Sequence, residues 1–257
     1  MKAATIFDLT GTVALVTGAS SGLGARFAQV LAANGAKVAL VARRKDRLDA
    51  ICARIEKAGG VAIAIEADVL DRAAMLSAFD ETHQAFGTVS VLVNNAGAAQ
   101  GVRALDMTEE EWRRILSLDL DSVFFWSQEG ARRMLAAGVK GSIVNTASVL
   151  AFGAAKGVAA YAVAKAGVVQ LTKALALELA LKGVRVNAIA PGWFVTDINR
   201  AFLESEKGEE MKRAIPMGRF GGEGDLDGAL LLLASKAGAY MTGATIIADG
   251  GQVVQIG

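Results

Sequence analysis

The sequence predicts a doubly wound α/β fold, with one parallel sheet of seven strands and helices on both faces. Short apolar segments alternate with segments whose apolar residues recur at helical spacing. The 29 glycines and 2 prolines suit many tight strand-to-helix turns. A chain of 257 residues without an internal repeat or linker is typical of one large α/β domain. Strands separated by helices are usually parallel and covered on both faces.

The predicted elements run from one end of the chain to the other. Strands are expected at residues 13–17, 37–41, 61–66, 89–93, 142–146, 184–190 and 245–248. Separate helices are expected from the glycine turn to residue 34, from the end of the second strand to about residue 57, over 72–86, over 108–137 and from 157 onward. Residues 194–217 mix apolar and charged side chains after a Pro-Gly turn, which predicts a mobile helical lid.

A glycine-rich turn follows the first predicted strand. The stretch 17–24 reads TGASSGLG, and its candidate cofactor residues are Gly18, Ser20, Ser21, Gly22, Leu23 and Gly24. Glycines let the backbone approach a phosphate, and the start of a helix offers free N–H groups. The spacing GxxxGxG differs from the commoner GxGxxG, so a tight connection without a ligand is the alternative.

Two arginines stand at the end of the second predicted strand. Dinucleotide sites for NAD usually carry an acid there for the ribose 2′-hydroxyl, but this chain has Arg43 and Arg44. Guanidinium groups pair well with phosphate, so Arg43, assisted by Arg44, predicts a 2′-phosphate and therefore NADP(H). A solvated basic helix start is the alternative, and NAD(H) stays possible.

The stretch from Ser148 to Lys165 places a hydroxyl, a phenol and an ammonium at useful spacings. Tyr161 and Lys165 are four residues apart, so on a helix they share one face. A neighbouring positive charge favours the phenolate form, which makes Tyr161 a candidate general acid and base. Ser148 follows a predicted strand, and its hydroxyl could steady a carbonyl oxygen. A surface Tyr–Lys contact is the alternative.

Composition excludes several classes of function. Lys plus Arg (27) balances Asp plus Glu (26), so no overall field draws the chain to nucleic acid or an acidic membrane. No apolar run has the length of a membrane span, and the N-terminus lacks a signal-peptide core, so a cytoplasmic protein is expected. Cys52 and His83, the one cysteine and the one histidine, predict neither a disulfide nor a metal site.

Together these motifs resemble those of the short-chain dehydrogenase/reductase family over essentially the whole chain. The matching segments are TGASSGLG at 17–24, NNAG at 94–97, the set Ser148, Tyr161 and Lys165, and Pro191, Gly192 and Thr196. The resemblance implies a Rossmann-like fold, hydride transfer between a nicotinamide and a carbonyl carbon, and a homotetramer. It also implies that Tyr161 exchanges the proton, Lys165 assists it and holds the nicotinamide ribose, and Ser148 positions the substrate oxygen.

The same resemblance implies further cofactor contacts. Asp68 would contact adenine, Val69 would also contact the cofactor, and Val195 and Thr196 would contact the nicotinamide end. The other implied cofactor residues are Asn95, Ala96, Gly97, Pro191 and Gly192. All of these follow predicted strands, so right-handed crossovers would gather them at one rim of the sheet.

One position departs from the family pattern. The fourth catalytic residue of the family is an Asn seven positions after the Trp of the long helix, and here Trp112 plus seven is Asp119. A carboxylate accepts hydrogen bonds but lacks the amide donor, so a contact to a backbone carbonyl is not expected. We expect activity below that of an Asn variant, and a large loss of turnover in Asp119→Asn would contradict this.

The predicted function is NADP(H)-dependent interconversion of a ketone and a secondary alcohol. The substrate class is a 3-oxoacyl thioester, by analogy with the family, or a sugar-derived or hydrophobic ketone. The mainly apolar lid and loop 149–152 favour a hydrophobic or acyl substrate. The alternatives are a sugar or polyol dehydrogenase using NAD(H), a non-catalytic redox sensor, and a structural subunit of a complex. The structural role is suggested by the C-terminal segment 248–257, which is partly apolar and suits packing against another subunit.

Overall fold

The computed structural model of the chain describes residues 3–99, 101–195 and 203–254. Its strands are β1 (Val13–Thr17), β2 (Lys37–Ala42), β3 (Val61–Glu66), β4 (Val91–Asn94), β5 (Gly141–Thr146), β6 (Val184–Pro191) and β7 (Thr245–Ala248). They form one parallel seven-stranded sheet in the order β3-β2-β1-β4-β5-β6-β7. The predicted strand count and direction are confirmed, and the sheet lies in one Rossmann-like domain.

Nine α-helices are found in the described part of the chain. They are α1 (Ala3–Ile6), α2 (Gly22–Ala33), α3 (Lys45–Lys57), α4 (Arg72–Phe86), α5 (Glu109–Leu116), α6 (Ser122–Ala136), α7 (Ala159–Leu179), α8 (Glu206–Arg213) and α9 (Asp227–Ala234). None of the described helices has both the length and the apolar content needed to cross a bilayer.

The sheet separates two apolar layers. Alternate residues of β1 point to opposite faces, so that Val16 joins one buried cluster and Leu15 the other. Helices α2, α3 and α9 cover the first cluster, and α4, α6 and α7 cover the second. This accounts for the nearly continuous apolar strands, which are buried on both faces.

The helical stretch predicted over 108–137 is interrupted in the middle. Helix α5 starts at a capping box in which Thr108 and Glu111 satisfy each other's backbone N–H groups. A π-helical turn, Ser117–Asp121, separates α5 from α6. Such turns insert one residue into the helical register, and they occur often at functional sites. Here the turn carries Asp119.

A buried polar network joins the elements beneath the C-terminal rim. Asn94 Nδ2 donates to Ser127 Oγ and to Asn145 Oδ1, both at 2.9 Å. Asn145 Nδ2 in turn donates to Thr172 Oγ1 at 2.9 Å. The network therefore ties β4 and β5 to α6 and α7, and its buried hydrogen bonds hold these four elements in a defined relation.

The segment expected to be a lid is partly outside the described residues, which omit 196–202. The described parts pack onto the body of the protein: Phe194, Leu203 and Ile215 are buried, and α8 lies between the last two. Movement of this segment stays a prediction.

Removal of the Trp126 side chain provides a test of this packing. The indole is fully buried against Phe79, and its Nε1 donates to the carbonyl of Val69 at 3.1 Å. Trp126→Ala is expected to lower the free energy of unfolding by about 3–5 kcal/mol, because it leaves a cavity and an unpaired carbonyl. Urea unfolding measures this loss. Leu105→Ala, at a fully exposed position, should change it by less than about 0.5 kcal/mol. A loss below about 1 kcal/mol in Trp126→Ala would contradict the packing.

Candidate active site

A cleft of about 710 Å³ opens at the carboxyl ends of the strands. Most of the predicted site residues line it: Gly18, Ser20, Ser21, Gly22, Leu23, Arg43, Arg44, Asp68, Val69, Asn95, Ala96, Gly97, Asp119, Tyr161 and Lys165. Gly24, Ser148, Pro191, Gly192 and Val195 are not part of this lining, and Thr196 lies outside the described residues. Arg114, Leu118 and Thr146 line the cleft although the sequence did not single them out.

Two loops meet at the floor of the cleft, one from β1 and one from β4. A Cβ added to Gly18, whose φ is +66°, would lie 2.7 Å from Ala96 Cα, so only glycine allows the loops to come this close. A Cβ on Gly24 would lie 2.5 Å from Asn95 Nδ2. Gly24 therefore allows the close packing of the two loops, and its predicted contact with a cofactor stays a prediction.

Asn95 and Thr17 join the same two loops by hydrogen bonds. Asn95 Nδ2 donates to the carbonyl of Thr17 at 3.2 Å, and Thr17 Oγ1 accepts the N–H groups of Asn95 at 3.0 Å and Ala96 at 3.2 Å. Thr17 precedes the glycines in the motif, but its hydroxyl was not recognised from the sequence as a structural link.

The start of α2 is suited to bind an anion. The residue before the helix, Ser21, has an extended backbone and makes no side-chain capping bond. The N–H groups of the first turn are therefore not capped by that side chain, and the helix dipole adds partial positive charge there. Because Ser21, Gly22 and Leu23 also line the cleft, this geometry fits a pyrophosphate.

The two arginines at the end of β2 have different surroundings. Arg44 Nη2 donates to the hydroxyl oxygens of Ser20 and Ser21, both at 2.8 Å. Arg43 has a largely exposed side chain, at 78%, with Nη1 3.8 Å from Asp68 Oδ2. Arg44 is thus held against the glycine loop, whereas Arg43 reaches toward the loop after β3. The prediction that Arg43 leads the contact with a 2′-phosphate, assisted by Arg44, stays a prediction.

Tyr161 and Lys165 lie one turn apart on α7, as their spacing predicts. Lys165 Nζ is 5.5 Å from the centre of the Tyr161 ring. The ammonium is buried, and it donates to the backbone carbonyl of Thr146 at 3.0 Å. That carbonyl, at the end of β5, orients the lysine. This contact could not be predicted from the sequence, because every residue has a backbone carbonyl.

Ser148 is buried immediately after β5. Its Oγ accepts the N–H of Leu150 at 3.2 Å and caps the short turn Val149–Ala151, which packs against α7. Accepting this bond uses a lone pair, so the hydroxyl keeps its hydrogen for donation to another oxygen.

Asp119 lies next to Lys165 in the lining of the cleft. Its Oδ1 is 3.2 Å from Lys165 Nζ, and its Oδ2 accepts the N–H of Ala98 at 3.2 Å. Among the described residues, Oδ1 has no well-aligned hydrogen-bond donor, so its attraction to Lys165 is an ion pair. A Cβ on Gly97 would collide with the same oxygen, which explains why glycine is needed there.

Burial raises the pKa of Asp119 above its ordinary value, while the Lys165 ammonium and the Ala98 N–H oppose this effect. The folded chain therefore holds this proton more tightly than the unfolded chain does. This difference stabilises the folded chain at pH values below the ordinary pKa of the carboxyl group. The stabilisation is lost as the pH rises through the raised pKa.

The segment after β6 packs against the segment after β7. The N–H of Gly192 donates to the carbonyl of Ala248 at 2.9 Å, and a Cβ on Gly192 would lie 2.7 Å from Asp249 Cα. Val195 donates its N–H to the carbonyl of Gly221 at 3.3 Å. These contacts account for glycine at 192. A role of Pro191, Gly192 and Val195 at the nicotinamide stays a prediction.

Known proteins resemble this chain over nearly its whole length. A family profile described as enoyl-(acyl carrier protein) reductase matches residues 18–252. Galactitol 2-dehydrogenase (L-tagatose-forming) of Cereibacter sphaeroides is 40% identical over 253 residues, which cover 97% of this chain and 98% of that protein. The 3-oxoacyl-[acyl-carrier-protein] reductase of Synechocystis sp. is 40% identical over 248 residues, 96% of this chain and 98% of that one.

A solved structure is also similar to this chain over nearly its whole length. Gluconate 5-dehydrogenase from Burkholderia cenocepacia J2315, in complex with NADP and tartrate, superimposes with a TM-score of 0.93 at 33% identity. The alignment covers 99% of this chain and 100% of that one. With the strand order, the loop geometry and the profile match taken together, the chain belongs to the short-chain dehydrogenase/reductase family of oxidoreductases.

Proposed function

We propose that this chain is an NADP(H)-dependent oxidoreductase that interconverts a ketone and a secondary alcohol. The observation that carries the proposal is the cleft itself. One end is formed by the glycine loop with Arg43 and Arg44, and the other end contains Tyr161 and Lys165. A dinucleotide along this cleft would have its phosphates at the loop and its nicotinamide beside the phenol.

The cofactor end fits the phosphorylated nucleotide. The first turn of α2 suits the pyrophosphate, and Arg44, already held by two serine hydroxyls, can pair with a ribose 2′-phosphate. Arg43 lies next to it along the chain and also lines the cleft, while Asp68 stands at the predicted adenine side. The presence of NADP in the similar gluconate 5-dehydrogenase structure supports this choice.

The chemistry follows from three side chains. When bound, the nicotinamide cofactor supplies or accepts a hydride at the carbonyl carbon. In reduction, the Tyr161 hydroxyl donates its proton to the carbonyl oxygen, and in oxidation the phenolate takes it back. The Lys165 ammonium lies 5.5 Å from the centre of the Tyr161 ring, and the Ser148 hydroxyl donates a hydrogen bond to the carbonyl oxygen of the substrate.

The substrate proposed first is a 3-oxoacyl thioester or a hydrophobic ketone. Ala98, Ala99 and Leu118 line the cleft near Asp119 and add apolar surface. The loop after Ser148 is also apolar, and Phe152 within it is half-exposed. The similarity to a 3-oxoacyl reductase supports this class.

A sugar or polyol dehydrogenase using NAD(H) is the second candidate. It is favoured by the equally high identity to galactitol 2-dehydrogenase. A polyol needs several hydrogen-bond partners, whereas an apolar ketone needs contact area, so the relative rates with the two substrate classes distinguish the candidates.

We also propose a homotetramer. Apolar side chains of α7 and the turn that follows are exposed, namely Val163, Leu177 and Leu181. Strand β7 is an edge strand, and Ile247 within it and Val254 after it are exposed as well. Apolar patches of this kind commonly mark contacts between subunits.

The first test is a panel of 3-oxoacyl thioesters, hydrophobic ketones and polyols assayed with NADPH and with NADH. We expect steady turnover of the ketones with NADPH and a loss of about 100- to 10,000-fold in Tyr161→Phe, because the proton donor is removed. Tyr240→Phe alters the other tyrosine, which is fully exposed, and should retain full activity. Tight NADPH binding without turnover of any compound would favour the redox-sensor alternative instead.

The second test concerns the 2′-phosphate. Arg44→Ala should weaken NADPH binding about 10- to 100-fold, since a charge-assisted hydrogen bond is lost, and leave NADH binding nearly unchanged. Fluorescence titration of both nucleotides measures these dissociation constants. Arg47→Ala removes an exposed charge from the adjoining helix and is the matched control. Equal weakening of both nucleotides in Arg44→Ala would argue against a phosphate contact.

The third test concerns assembly. Multi-angle light scattering at micromolar concentration should give four times the 26.5 kDa mass of the chain. A monomeric mass under these conditions would contradict the proposed tetramer.

A further inference from the structure

A buried carboxylate lies in the wall of the cleft at the end that contains Tyr161. Asp119 Oδ1 is 3.2 Å from Lys165 Nζ, and the two side chains are 0% and 4% exposed. A Cβ on Gly97 would collide with the same oxygen, so the carboxylate packs directly against the Gly97 backbone. Gly97 and Asp119 both line the cleft. A ligand at this end would therefore lie beside a negative charge as well as beside the Lys165 ammonium.

Several contacts hold Asp119 in this place. Its Oδ2 accepts the N–H of Ala98 at 3.2 Å, and its backbone belongs to the π-helical turn. Burial disfavours the carboxylate form, while the Lys165 ammonium, the Ala98 N–H and the Arg114 guanidinium favour it. Because both side chains of the ion pair are buried, salt screens their charges only weakly. Asp119 and Lys165 thus bring a neutral pair to this end of the cleft, and not a net positive charge.

The net charge here matters because the two forms of a nicotinamide cofactor differ in the charge of the ring. The oxidised ring carries one positive charge, and the reduced ring, which has gained a hydride, carries none. A negative neighbour stabilises the oxidised ring and affects the neutral ring little, whereas an unbalanced ammonium repels the oxidised ring. The adenosine, the pyrophosphate and the nicotinamide ribose are the same in both forms.

We propose that Asp119 is a specificity-determining residue that favours binding of the oxidised nicotinamide nucleotide over the reduced one. This inference rests on the proposed function, which puts the nicotinamide at the end of the cleft that contains Tyr161 and Lys165. The carboxylate cancels the positive charge of Lys165, which would otherwise repel the oxidised ring. It therefore shifts the equilibrium between the two bound forms toward the oxidised cofactor and leaves the equilibrium in solution unchanged.

The sign of the effect does not depend on how Lys165 responds to a substitution. If Asp119 is replaced by a neutral residue and Lys165 keeps its proton, this end of the cleft becomes more positive. If Lys165 gives up its proton instead, the net charge is the same as before. Neither response favours the oxidised ring, so a stronger preference for it is excluded in such a variant.

Isothermal titration calorimetry of NADP⁺ and NADPH binding tests the proposal. We expect the ratio of their dissociation constants, NADP⁺ over NADPH, to rise about 3- to 30-fold in Asp119→Asn, because a negative charge near the ring is lost while the side-chain size is kept. A change in the shape of the site that affects both forms alike cancels in this ratio, so a purely structural role would not move it. An unchanged or lower ratio would overturn the proposal.

Two controls accompany this measurement. Asp121→Asn makes the same charge change at an exposed position of the same turn, and its ratio should stay within about twofold of the parent. Adenosine 2′,5′-bisphosphate lacks the nicotinamide, so its dissociation constant should be the same in Asp119→Asn and the parent. If circular dichroism shows that Asp119→Asn does not fold, Asp119→Ser, a second neutral variant, is expected to give the same rise in the ratio.

The same experiment separates this inference from the proposed function. NAD⁺ and NADH differ by the same ring charge, so the ratio can be measured with them if the chain prefers the nucleotides without the 2′-phosphate. Binding of both forms with an unchanged ratio in Asp119→Asn would overturn the inference alone. Failure of the wild type to bind any of the four nucleotides would refute the proposed function and this inference with it.

Discussion

The architecture of the active end depends on one buried cation. Removing the Lys165 ammonium from water costs several kcal/mol unless other groups replace its hydration. Three parts of the chain meet this requirement: α7 carries the lysine, the end of β5 supplies the Thr146 carbonyl, and the π-helical turn supplies Asp119. Satisfying the charge therefore brings together the groups of the proposed chemistry, because Tyr161 lies one turn before the lysine and Ser148 two residues after the carbonyl.

The other end of the cleft depends on the close approach of two backbone loops and not on a buried charge. Strand β1 lies between β2 and β4, so the chain leaves β1 and β4 in opposite directions across the sheet. Parallel α/β sheets bind ligands at this reversal of strand order. Gly18 and Gly24 let the two adjoining loops touch, and Asn95 with Thr17 closes the contact. The loops thus form a closely packed floor of the cleft, and the first residues of α2 also line the cleft.

Several features were predictable because they depend on local pattern. The seven strands follow from apolar runs, and the order of glycine turn and helix follows from spacing. The shared face of Tyr161 and Lys165 follows from helical geometry. Others required the structure. One of them is the contact of Arg44, and not of Arg43, with the glycine-loop hydroxyls, which lie 23 and 24 residues away along the chain. The partners of Lys165 lie 19 residues away at Thr146 and on a different helix at Asp119.

The amino-acid sequence alone determined the fold class, the family resemblance and the choice of candidate reactive side chains, because periodicity and motif spacing are properties of neighbouring residues. Only the tertiary structure decided which charges face one another. The ion pair between Asp119 and Lys165 arises where a distorted turn, a glycine without a Cβ and the end of a strand converge. Electrostatic interaction depends on distance through space and on burial, and neither quantity can be read from positions along the chain.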